Sequence, residues 1–182
     1  PADKILTMTY TKAATREMRQ RFARLFGEDC PDIPEFRTIN GVSSKIIDFY
    51  ARTHSSGNAF RLMEDEGLLS KLVSDLYRAL SGEFATQGVI KELRKNITYV
   101  KNSMLDKEEI DDLDTGFEQF PELYRRYNLA LRKQHWMDYD DQMVFAKTIL
   151  EKHADVLTHF QDMFPYICVD ESQDTSRIQH AI

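Results

Sequence analysis

The sequence has little glycine and little proline, seven and five in 182 residues, which disfavours a fold built from many short strands and tight turns. It has only two cysteines, Cys30 and Cys168, so a disulfide framework is excluded as the source of stability. It has no excess of positive charge. The formal net charge is −6, so nucleic acid would have to be gripped by a local basic surface rather than by overall charge. It has no apolar run of membrane-spanning length and no secretory leader pattern, and we expect a cytoplasmic protein with no membrane contact. It also has no G-x-x-x-x-G-K-[ST] phosphate loop. Hydrophobic residues at 42% and charged residues at 30% place it among soluble globular chains.

The most informative stretch is Tyr166-Ile167-Cys168-Val169-Asp170-Glu171-Ser172-Gln173-Asp174-Thr175. Four apolar residues end in two adjacent carboxylates. This predicts a buried strand whose carboxyl end faces a crevice, with Cys168 packed inside. A carboxylate there can hold Mg²⁺ beside a nucleotide phosphate, and its neighbour can orient or deprotonate an attacking water. A strand followed by an acidic helix cap explains the same residues without chemistry.

The chain opens with a second β-prone run, Ile5 to Tyr10, followed by Thr11 as an N-cap. Ala14, Met18, Phe22, Leu25 and Phe26 then recur at helical spacing up to Gly27. An aromatic such as Tyr10 at a strand tip can stack on an unpaired base. Thr11, Lys12 and the helix start can donate to phosphate. Glu28 to Glu35 reads as a loop. Phe36 to Ile39 reads as a short strand, and Gly41 to Ala51 as a helix, with Thr38 and Asn40 at the junction.

From Thr53 to Asn58 the chain reads as a polar connection, and beyond it no strand is evident until the return. Three apolar stripes at helical spacing predict a helical core: Leu68 to Leu80, Val89 to Val100, and Phe117 to Leu131. Two basic segments flank an acidic one: Lys91, Arg94, Lys95 and Lys101, then Arg125, Arg126, Arg132 and Lys133. Each is either a solvated face or a surface for duplex phosphates. Asp138-Tyr139-Asp140-Asp141 reads as an acidic helix start. Helices follow to Met163, and Pro165 stops the last of them. The order predicts a mainly helical α/β fold interrupted by an inserted all-α subdomain, with bounds 1–53, 54–135 and 136–182.

Several of these stretches resemble the UvrD/Rep/PcrA-type superfamily 1 DNA helicases. Thr9-Tyr10-Thr11-Lys12-Ala13-Ala14-Thr15-Arg16-Glu17-Met18 is similar to motif Ia, T-F-T-N-K-A-A-x-E-M. Thr38-Ile39-Asn40-Gly41 is similar to motif Ib, and Asp138-Tyr139-Asp140-Asp141 to the D-F-D-D after the inserted subdomain. Val169 to Thr175 resembles motif II, the Walker B element D-E-x-Q-D, and Ile97 to Asn102 a stretch of the inserted subdomain. The chain departs from the family at Lys12 (usually Asn), Ala13 (Lys), Asn40 (His) and Gly41 (Ser).

The resemblance implies a partial RecA-like P-loop NTPase sheet, with ATP and Mg²⁺ as cofactors and single-stranded and duplex DNA as partners. It implies 3′–5′ translocation with unwinding. Asp170 would hold the metal, Glu171 would activate the water, and Gln173 and Asp174 would link nucleotide state to DNA grip. Tyr10 would stack on a base. Thr11, Lys12, Thr38 and Asn40 would contact the strand, and Lys101 would face the duplex. It also implies that the phosphate loop lies before Pro1 and the second RecA-like domain after Ile182, so that the segment alone is inactive. Without the resemblance, two other readings stand: a helical binding module that never hydrolyses ATP, and a metal-dependent nuclease using Asp138, Asp140, Asp141, Asp170 and Glu171.

Overall fold

The computed structural model describes residues 1–27, 30, 32–54 and 60–182. Positions 28, 29 and 31 of the expected first loop, and 55–59 of the expected connection, lie outside the described residues. The chain divides into two compact units: Pro1–Ser56 with Phe145–Ile182, and Gly57–Val144.

The first unit is built on a parallel three-stranded sheet. Strand β1 (Ile5–Thr9) is central, between β2 (Glu35–Thr38) and β5 (Tyr166–Val169). Parallel neighbours need crossover connections, and helix α1 (Lys12–Phe26) supplies the one from β1 to β2. Thr11 caps α1 by accepting from the Ala14 N–H at 3.0 Å, and Gly27 ends it at φ +88°, where a side chain would be strained. Helix α1 packs on β1 and β2, with Phe22 edge-on to Phe36 at 6.0 Å. Helix α2 (Ile39–His54) leaves β2 directly and packs against α8 (Ala154–Met163), where Phe49 stacks on His159 at 3.9 Å. Leu6, Met8, Phe36, Ile39, Ile46, Val156 and Ile178 are among the buried residues.

Strand β5 differs from the expectation of a buried strand. Tyr166, Ile167 and Val169 are 64%, 57% and 37% exposed, and Cys168 is exposed rather than packed. The run is apolar enough to be covered, but β5 is an edge strand of this sheet and all four of its residues stay exposed among the described residues.

The second unit packs α3 (Glu66–Ser81), α4 (Gln87–Ser103) and α6 (Phe120–Lys133) around Leu69, Val73, Leu93, Ile97, Val100, Phe120, Leu123 and Leu131. These come from the three stripes read in the sequence; of them, Leu68 is the member left well exposed. A short helix, α5 (Lys107–Asp111), opens with a reciprocal capping box between Asp106 and Glu109. A feature without sequence signal is a pair of two-residue parallel strands, β3 (Arg61–Leu62) and β4 (Trp136–Met137). They join the entry and exit of this unit, with Met63 N–H donating to the Met137 carbonyl at 2.8 Å. The unit extends to Val144, beyond the expected limit at 135, and so takes in the start of α7 (Tyr139–Lys152). The reason is that Asp138, Asp140 and Asp141 bond to α4 and α6.

Candidate active site

In the first unit, strand register brings the motif residues to one edge. Thr9 pairs with Thr38, and Met8 with Val169. The Asp170 N–H extends the ladder by donating to the Met8 carbonyl at 3.0 Å. Because the strands are parallel, the chain leaves all three at the same carboxyl edge. Tyr10-Thr11, Thr38-Asn40 and Asp170-Glu171 therefore lie along one rim, where ligands of open α/β sheets sit.

The rim is built locally. Thr9 is buried, and its Oγ1 lies 2.7 Å from Thr15 Oγ1. Both hydroxyls reach the Thr11 carbonyl, at 3.1 and 3.0 Å, which fastens the turn that presents Tyr10. The Tyr10 ring is 39% exposed, and its hydroxyl donates to Gln179 Oε1 at 3.3 Å. Gln179 in turn accepts from the Ser176 N–H at 2.9 Å, as the N3 partner of the capping box that starts α9 (Arg177–His180). Partial burial, then the charge of Asp174, holds the Tyr10 phenol above its ordinary value of 10.0. The Tyr10–Gln179 hydrogen bond thus links the turn after β1 to the segment after β5. Thr15 and Gln179 were not singled out from the sequence. The Ser176-x-x-Gln179 spacing was the available signal for Gln179.

Thr11 and Thr38 are both caps. Thr38 Oγ1 accepts from the Gly41 N–H at 3.0 Å, as Thr11 does from Ala14. Capping uses a lone pair and leaves each hydroxyl proton to donate elsewhere. A Cβ at Gly41 would stand 3.2 Å from Thr38 Oγ1, which fits glycine where the motif usually has serine. Lys12 is exposed at the start of α1 and Asn40 is half-buried at the start of α2.

Glu171 sits in the left-handed region at φ +51°, which costs a residue with a Cβ about 1–2 kcal/mol. The following residues Ser172–Asp174 form a 3-10 turn, and Gln173 Nε2 donates to Glu171 Oε2. No salt bridge engages Asp170 or Glu171 among the described residues. Two carboxylates without a cationic partner, at the carboxyl edge of a parallel sheet, are hard oxygen donors that fit Mg²⁺.

The second acidic stretch is built the opposite way. Lys101 is only 4% exposed, so it does not face a duplex as expected. Its Nζ lies 2.7 Å from Asp138 Oδ2 and 2.8 Å from Asp141 Oδ1. Tyr127 donates to Asp138 Oδ2 at 2.9 Å, and Asp140 accepts from Thr98 and from Asn102, each at 2.7 Å. Burial opposes the Lys101 charge, but Asp138 and Asp141 outweigh it and hold the ammonium above its ordinary value of 10.5. One cation serves two acids, so burial, together with the Asp138 charge, raises Asp141 despite Lys101. Asp138 also caps α7, accepting from the Asp141 N–H at 2.7 Å. These carboxylates are spent on folding, each bonded within the helical unit. The nuclease reading, which needs all five on one metal, loses its support. The basic segments are also partly neutralised: Arg94 pairs with Glu66, and Arg125 and Arg126 share Glu122, which they hold down to about 2.

No described helix is long and apolar enough to cross a membrane. The sequence profile of the UvrD/REP helicase N-terminal domain matches residues 1–182. Among curated proteins, the chain is 26% identical to the ATP-dependent DNA helicase PcrA of Leuconostoc citreum, over 98% of this chain and 24% of that protein. It is 24% identical to PcrA of Bacillus subtilis, again over 98% and 24%. It is 24% identical to the ATP-dependent DNA helicase Rep of Buchnera aphidicola subsp. Acyrthosiphon pisum, over 99% and 28%. The chain therefore spans about a quarter of the length of these relatives.

Proposed function

From the premise that this chain belongs to the UvrD/REP helicase N-terminal domain family, we propose that it is a segment of an ATP-dependent DNA helicase acting in the cytoplasm. The whole protein moves 3′–5′ along single-stranded DNA and separates duplex. The observation that carries this reading is the shared rim: Tyr10, Thr38 and the Asp170-Glu171 pair leave adjacent parallel strands at one edge. A site that hydrolyses nucleotide and a site that stacks a base are then two parts of one small sheet.

In this reading Tyr10 stacks on an unpaired base, while Lys12 and the hydroxyl protons of Thr11 and Thr38 meet the strand's phosphates. Asn40 contacts the same strand. Asp170 holds Mg²⁺ and Glu171 takes the proton of the attacking water. When bound, Mg²⁺ would neutralise charge developing on the phosphoryl group that ATP supplies. Gln173, bonded to Glu171, and Asp174 beside it link nucleotide state to DNA grip. This segment by itself turns over no ATP, because the residues that cradle a triphosphate are not among its own.

The test is made on the full-length protein. Glu171→Gln is expected to lower DNA-stimulated ATP turnover by about 10²- to 10⁴-fold while single-stranded DNA binding persists. Tyr10→Ala is expected to weaken single-stranded DNA binding by about 5- to 150-fold, measured by fluorescence anisotropy. Unchanged turnover in the first variant overturns the assignment.

A further inference from the structure

Away from the rim, the sheet unit carries a cluster in which His54, His153 and Asp155 each turn one ligand atom toward the others, all within 4.8 Å. We propose that these three residues form a binding site for a zinc-class divalent ion, which ties the end of α2 to the junction of α7 and α8.

Three observations support this. The donor set comes first: two imidazoles and a carboxylate select Zn²⁺, Ni²⁺ or Cu²⁺ over Mg²⁺, which prefers oxygen alone. The second is orientation. Thr53 Oγ1 donates to the Phe49 carbonyl at 2.9 Å, and lies 2.7 Å from His54 Nδ1. A Thr53 hydroxyl that gives its proton to that carbonyl has an oxygen lone pair for His54 Nδ1–H, the tautomer suited to a metal at Nε2. The ring's other nitrogen, Nε2, then carries a lone pair. That lone pair faces Asp155 Oδ2 at 3.0 Å. In that tautomer a metal held by Nε2 and the carboxylate satisfies both acceptors. The partner that fixes the ring is the kind of outer contact that metal-bound histidines use.

The third observation is preorganisation. Tyr50 stacks on His54 at 5.0 Å and leans on His153 at 4.5 Å, so one aromatic holds both rings. His153 is the residue before α8, and its side chain makes no capping bond. Tetrahedral zinc with bonds of about 2.0–2.1 Å places its ligand atoms about 3.3 Å apart. The pair at 3.0 Å is already close to that spacing, and Asp155 is an exposed side chain with room to turn. A tetrahedral ion here would keep its fourth position for water.

The test uses the chain with Cys30→Ser and Cys168→Ser, since an exposed thiol competes for the same ions. After dialysis against chelator, Zn²⁺ is titrated by calorimetry, and Co²⁺ by visible absorption for its tetrahedral bands. Saturable uptake of a single equivalent is expected, undisturbed by millimolar Mg²⁺. His54→Ala and His153→Ala should each weaken Zn²⁺ binding at least about tenfold, and Thr53→Val about tenfold through its outer contact. Asp155→Asn should also weaken it and, being exposed, guards against loss of folding, which circular dichroism monitors. His159→Ala, stacked on Phe49 outside the cluster, should leave binding unchanged. Absence of saturable uptake, or equal uptake by the His54→Ala/His153→Ala double variant, overturns the proposal and leaves a His54–Asp155 contact that holds no metal.

Discussion

The two units treat the same chemistry in opposite ways. Each contains a short run of carboxylates. In the helical unit, Asp138 and Asp141 close on a buried lysine and a buried tyrosine hydroxyl. In the sheet unit, Asp170 and Glu171 stand at a strand end with no ion pair among the described residues, and Glu171 is held in a strained backbone conformation. A buried, fully bonded charge cluster specifies how helices meet. An unneutralised pair on a rim keeps its carboxylates out of any ion pair among the described residues. The contrast shows that acidic clusters are sorted by what their carboxylates are bonded to, not by their density in the sequence.

The largest break in this comparison is expected at Lys101. Lys101→Met leaves Asp138 and Asp141 buried without a cation, and should destabilise the helical unit by about 3–5 kcal/mol in urea unfolding. Adding Asp138→Asn and Asp141→Asn should recover most of that loss, because the penalty lies in the orphaned charges. A loss below about 1 kcal/mol would mean that the cluster is hydrated rather than buried.

A smaller effect is expected from pH. Burial above all holds Asp140 above its ordinary value of 3.8, and Asp141 likewise. Between that value and the raised folded ones, the folded state binds more protons than the unfolded chain. The contribution of these two groups therefore rises as pH falls through the window and shrinks as pH climbs out of it. Asp140→Asn removes one of these titrations. Its stability relative to the parent chain should be greatest near neutral pH and should decline as pH approaches 3.8, read from melting temperatures across the range. The Lys101 contribution has the other limit: it is complete below 10.5 and is lost as pH rises through the raised folded value.

The smallest effect sharpens the contrast from the other side. Asp170→Asn, at the rim, should change stability by no more than about 0.5 kcal/mol, since it breaks no ion pair. A loss comparable to that of Lys101→Met would place Asp170 in the folding machinery instead.

Much of the fold was legible because hydrophobic periodicity is a local property. The three stripes of the helical unit, the strand-cap-helix run through Thr11, and the helix from Ala154 to Met163 all follow from residue spacing. Lys101 was not read as buried, although a signal was present: it continues the series Leu93, Ile97 on the inward face of α4. Its partners lie 37 residues on, at Asp138, and 40 residues on, at Asp141, and a long-range pairing of charges has no local period. Strands β3 and β4 escaped for a similar reason, since two residues are too few to show alternation. Strand β5 was read correctly as a strand and wrongly as buried, because an apolar run states what a segment can be packed under, not what covers it.

The order of residues alone determined the main helices and the three strands of the sheet, the Thr11 cap, and the resemblance carried by the residues after β5. These depend on spacing over a few residues. Only the tertiary structure decided which acidic run is taken up by ion pairs within the fold and which is not among the described residues, and that Tyr10 and Glu171 share a rim although 161 positions separate them. The physical reason is that parallel register and burial are set by long-range contacts, whose closing cost and dielectric setting no local pattern encodes.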